Sequence, residues 1–214
     1  VSILISLPRS EMVLRASCTF GPAVERQYWT EAGLHWIGAE PHNVPWVAEK
    51  LIDYERARDA IHLVGSHLKL VPSATLVRAL REALKEQAKI DPDNNNDAVM
   101  FQHYVQEIFQ KLDKADDVIE ADIALLEWSY LAVLEHSSRP PKALHEQLAK
   151  SPQFFVEMLS VIYRSSNKNE PEEILTGADR ERQSAIASQA YRLLNSWAGL
   201  AGLENGVVNE AVLD

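Results

Sequence analysis

Residues 51–68 read LIDYERARDAIHLVGSHL, and their spacing decides the fold. Leu51, Ile52 and Tyr54 extend an apolar series begun at Val47. After a polar interruption, Ala57, Ala60, Ile61, Val64 and Leu68 begin a second series. Steps of three and four residues bring side chains to one face of a helix, whereas a strand needs steps of two. The stretch therefore predicts two consecutive helices. The first has a marked start: Asn43 stands where an N-cap belongs, and Pro45 falls in the first turn, where a missing N–H costs nothing.

The same reading extends in both directions. Ser10 caps a short helix to Phe20, Gly21 stops it, and Pro22 opens another through Tyr28, Trp29 and Trp36. Ser73 begins a helix that buries Leu76, Val77, Leu80 and Leu84. DPDNNND, 91–97, is a polar loop. From Ala98 a helix carries Phe101, Tyr104, Val105, Ile108 and Leu112. From Asp117 to His136 one long helix is apolar on most sides. Its polar stripe of Glu120, Glu127 and Glu135 reads as solvated, and the helix as a buried spine. Pro140 and Pro141 start the next, Ser151 and Pro152 start one to Arg164, SSNKNEPEE (165–173) is a loop, and a long helix spans Asp179 to Trp197. Only Val1–Leu7 reads as β-like. The expectation is an all-α fold of about ten antiparallel helices, arranged as a helical-repeat-like α-solenoid array or an irregular bundle. It comprises an N-terminal subregion 1–90 and a C-terminal subregion 97–214, or one continuous domain.

Composition narrows the partners. The formal net charge is −10 and the isoelectric point about 5.2, with no Lys/Arg cluster beyond scattered pairs. Nucleic-acid binding and docking on an anionic membrane are both disfavoured by that balance. The single cysteine, Cys18, excludes an internal disulfide and reads as a small core residue. No apolar run reaches the roughly 18 residues of a membrane span. A cytoplasmic protein is expected, and the Val at position 1 suggests a piece of a longer chain.

Little catalytic chemistry is legible. ALHEQLAK, 143–150, starts like the helical zinc signature H-E-x-x-H, but Ala149 stands where the second histidine belongs. Glu31 and His35 share a helical face, as do Asp59 and His62, and His35 and His42 flank the break at 38–41. These residues, Glu31, His35, His42, Asp59 and His62, form the one candidate polar site. A metal held by His35, His42 and His62 is the weaker version of it. Glu120 and Glu127 share a face but stand about 10 Å apart along a helix, and they read as a solvated stripe rather than an acid–base pair. No E-x-x-H pair, G-x-S-x-G or phosphate loop is present. No catalytic residue, metal ligand or cofactor is assigned. Trp29, Trp36 and Trp46 crowd the first 50 residues, as core rings or as a partner-binding surface.

Two stretches carry a resemblance. Residues 51–68 are similar in rhythm to tetratricopeptide-type helix pairs, with Ala57, Ala60 and Gly65 where helices approach closely. Residues 123–164, with QAYRLLNSW at 189–197, resemble a helical region of very long bacterial proteins of unassigned function. That resemblance implies an all-helical domain inside a larger protein and supplies no catalytic motif. The reading that follows is a non-catalytic protein-interaction or scaffold module of a larger bacterial protein. The alternatives are a sensor or regulatory region of a bacterial defence protein, and an enzyme with a site near Glu31, His35, His42 and Asp59.

Overall fold

The computed structural model describes residues 3–4, 11–31, 40–86, 95–134, 137–166 and 177–202. These residues form eleven α-helices and no strand, so the fold is all-α. The helices are α1 Glu11–Ser17, α2 Pro22–Glu31, α3 Val44–Asp53, α4 Ala57–Gly65, α5 Ser73–Glu86, α6 Asn95–Leu112, α7 Glu120–Ser129, α8 Leu131–Leu134, α9 Lys142–Lys150, α10 Pro152–Ser166 and α11 Gly177–Gly202. Short 3-10 turns span Pro41–Asn43 and Leu68–Leu70. The β-like run at the start lies outside the described residues except 3 and 4, which are helical. Among the described residues no helix is long and apolar enough to cross a membrane.

The chain divides into two compact units, Val1–Ile119 and Glu120–Asp214. In the first, α4 is the hub. It packs on α3, α5 and α6, and α3 also meets α5. The reason lies in its residues, since Ala57, Ala60, Ile61 and Val64 are all fully buried, and the two alanines let neighbouring helices come close. Helix α6 presents Phe101, Val105, Ile108, Phe109 and Leu112 to this core. It therefore belongs with the first unit, whereas the sequence reading grouped it with the residues after 97.

Polar side chains lock the joints of this unit. Glu86, at the end of α5, accepts from the N–H groups of Ala57 (2.5 Å) and Arg58 (3.1 Å) and so caps α4 from a distance. Arg78 spans Glu49 and Asp53 of α3. Lys111 of α6 donates to the carbonyls of Leu68 and Val71, closing the 3-10 turn. Asn43 precedes α3 as expected but makes no side-chain cap bond.

The tight joint between α3 and α4 leaves Glu55 at φ 60°. Arg56 N–H reaches back to Leu51 O at 2.8 Å, the closing bond of a Schellman-type helix end. A left-handed residue with a Cβ is strained there. Glu55→Gly is expected to raise stability by about 0.5–1 kcal/mol, the relief of strain exceeding the extra freedom of the unfolded chain. Chemical denaturation of the two proteins checks it.

In the second unit, α9 packs on α7, α10 and α11, and α10 lies along α11. The continuous helix expected from Asp117 to His136 is instead two. A turn at Tyr130 separates α7 from the single turn α8, and Tyr130, Leu131 and Leu134 are buried around that break. Ser151 caps α10 as predicted, its hydroxyl accepting from Phe154 N–H at 3.2 Å, with Pro152 in first position.

Candidate functional site

The residues singled out in the sequence scatter. Trp29 is fully buried and meets Tyr28 and Trp46 edge-to-face, with centroids at 5.5 and 5.6 Å. It is a core ring and unavailable to a partner. Trp46 is half-buried with the Arg15 guanidinium 5.7 Å from its ring, and Trp36 and His35 lie outside the described residues. Exposed Glu31 accepts from Gln27 one turn earlier. Asp59 is paired with Arg56, and the His62 ring sits between Phe101 and Tyr104. His42 lies beside Glu11 and Glu40, neither of which the sequence reading considered. Among the described residues these three are the only group of three or more ligand-type side chains gathered closely enough for one ion. The polar site of Glu31, His42, Asp59 and His62 is not assembled in this way.

The first unit also holds a half-buried ionic network that sequence spacing did not reveal. Lys50 Nζ meets Glu25 Oε1 at 2.6 Å, with Cys18 and Tyr54 alongside. Lys50 holds the Glu25 carboxyl below the usual carboxylate range, and Glu25 in turn raises the Lys50 ammonium. Burial pushes the Tyr54 phenol up. The network ties α2 to α3.

The second unit contains the most unusual group. Glu127 is 0% exposed, which overturns its assignment to a solvated stripe. Its Oε1 lies 2.5 Å from Arg139 Nη1, close enough for an ion pair though poorly aligned for a hydrogen bond. Its Oε2 accepts from Leu144 N–H at 2.9 Å, at the start of α9. Burial pushes the Glu127 carboxyl up, while Arg139 and the α9 N–H groups draw it back. His145, in the first turn of α9, is also buried, and its Nε2 has no hydrogen-bond partner among the described residues. Burial, with Arg139 adding repulsion, lowers its pKa to about 4, so the ring is neutral at pH 7. A carboxylate placed at a helix N-terminus and paired with arginine fixes how α7 meets α9. The cluster is a structural joint, and the near-miss to a zinc signature reduces to it. Glu146 beside it pairs outward with Lys150 at 2.8 Å.

Helix α10 is exceptional in a different way. At 100° per residue, Val161, Phe154, Met158, Ile162, Phe155, Leu159, Tyr163 and Val156 follow one another around an arc of about 220°. Gln153, Glu157 and Ser160 make up the opposing polar face. One neighbouring layer needs an apolar stripe of roughly 100°. Yet no residue from 152 to 163 is buried, whereas α5 buries Leu76, Ala79, Leu80 and Ala83. Phe155 reaches Trp197 of α11 at 6.0 Å between centroids, and α9 and α11 take up part of the arc. The remainder faces outward: Val156 is 61% and Tyr163 70% exposed, with half-buried Leu159 between them. Positions 156, 159 and 163 follow the i, i+3, i+7 spacing by which one helix reads another.

No protein-family model matches the chain, and neither a curated protein nor a solved structure does.

Proposed function

We propose that the protein is a non-catalytic interaction module whose contact surface is the outward face of α10. The observation that carries this reading is the uncovered seam of Val156, Leu159 and Tyr163 on a helix whose apolar arc extends past the parts taken up by α9 and α11. An apolar seam at helix-reading spacing suits a partner helix laid along it. Each large apolar side chain fully buried contributes about 1.5–3 kcal/mol, so two or three such anchors support a specific contact. The buried polar groups bear on the same question from the other side. Glu127 and Arg139 are consumed in holding α9 to α7, His145 is buried and neutral beside them, and Asp59 is neutralised by Arg56. The resemblance of residues 123–164 to helical regions of very long bacterial proteins fits a module that works beside other domains of one chain.

The reading predicts that Val156→Lys with Tyr163→Lys leaves the helical circular dichroism signal unchanged, since both side chains are exposed. It predicts at least a tenfold loss in binding to any partner recovered by the unaltered protein, because one lost anchor is worth about 1.4 kcal/mol or more. Val99→Lys, at an equally exposed apolar position on α6, is the control and leaves binding intact.

A further inference from the structure

We propose that Glu11, Glu40 and His42 form a binding site for a divalent cation of the zinc type. Two separate parts of the chain deliver them: Glu11 opens α1, while Glu40 and His42 come from the start of the Pro41–Asn43 3-10 turn. One ligand atom from each lies within 4.8 Å of the other two. His42 Nε2 is 3.2 Å from Glu11 Oε2 and 3.5 Å from Glu40 Oε2. Zinc bonds of 2.0–2.1 Å in tetrahedral geometry place neighbouring ligands about 3.3 Å apart. An octahedral magnesium with bonds of 2.0–2.1 Å would need about 2.9 Å between adjacent ligands. The separations of 3.2 and 3.5 Å lie nearer the tetrahedral spacing than the octahedral one, and water would take the fourth position.

The surroundings fit this use. Glu11 divides its oxygens: Oε1 accepts from Arg15 Nε at 2.6 Å, and Oε2 faces the imidazole. Oriented carboxylates of this kind are what metal sites use to hold a ligand in place. Pro41 fixes the backbone between Glu40 and His42, so the turn presents both from a short rigid link. Glu40 and His42 are exposed, leaving room for Glu40 to close on an ion. Two carboxylates against the single charge of Arg15 favour a further cation. A mixed set of one imidazole and two carboxylates selects zinc or a related transition ion over calcium.

The test is titration of the full chain with Co(II) as a spectroscopic stand-in for Zn(II), followed by Zn(II) competition. The proposal expects one saturable equivalent with a visible d–d band displaced by zinc. His42→Ala and the near-isosteric Glu40→Gln should each weaken it at least tenfold, with circular dichroism unchanged. Absence of a saturable band overturns the proposal. So does binding that survives in both variants, which would make the ion an adventitious occupant of the other histidines.

Discussion

Arg139→Ala is expected to destabilise the second unit by about 3–5 kcal/mol, the largest single effect in this protein. The cost does not measure the attraction of the pair. It arises because Glu127 is fully buried and would be left with the α9 N–H groups as its main compensation. Several kcal/mol of desolvation would then stand against a backbone hydrogen bond worth about 1.5–3. Glu127→Gln should cost less than Arg139→Ala, since the amide oxygen still accepts from Leu144 while the buried charge is gone. The double replacement Glu127→Leu with Arg139→Met should recover most of the loss, because an apolar pair removes both desolvation penalties. Urea unfolding followed by the fluorescence of Trp128 and Trp197 gives the comparison, though Trp29, Trp36 and Trp46 contribute signal from the first unit. Losses under 1 kcal/mol for Arg139→Ala would mean that water reaches Glu127.

Gly65→Ala is the second large effect, and here two influences oppose. Ala is the better helix former by about 1 kcal/mol. A Cβ at this position, however, would lie 2.1 Å from Cδ1 and 2.4 Å from Cγ of Tyr104. That ring is held against His62 on α4 and cannot move aside without disturbing the α4–α6 contact. Overpacking of this kind costs about 1–3 kcal/mol, and with contact this close the clash wins. A net loss of about 2 kcal/mol is expected in chemical denaturation. In a Tyr104→Ala background the obstruction is gone, and the same Gly65→Ala change should become neutral or stabilising. An equal loss in both backgrounds would show that the ring is not the cause.

What the sequence reveals and what it hides follow from the range of the interactions. Helix positions were legible because each depends on neighbours within a few residues. Gly21–Pro22, Ser151–Pro152 and the apolar steps of 44–68 all mark their elements in place. Glu127 was misread because its spacing from Glu120 matches a wet stripe. Its partners, Arg139 and Leu144, come back to it only through the turn after α8, and no periodicity records that return. The break at Tyr130 and the grouping of α6 with the first unit escaped for the same reason. The sequence directed attention to His42 through its neighbours His35 and His62, while the structure sets it against Glu11, 31 residues away. Gly65 was recognised as a point of close approach, and Tyr104 is what approaches it. The breadth of the α10 arc was readable from residues 152–163, but which part of it stays uncovered depends on where α9 and α11 lie.

The measurement that bears most directly on the interaction reading is quantitative capture from a lysate of the source organism, run in parallel with the unaltered protein, the Val156→Lys/Tyr163→Lys variant and the Val99→Lys control. The account predicts a reproducible protein partner held by the unaltered chain and the control, and reduced at least tenfold with the α10 variant. Equal retention by all three, or no retained protein while all three remain folded, would contradict a docking role for α10.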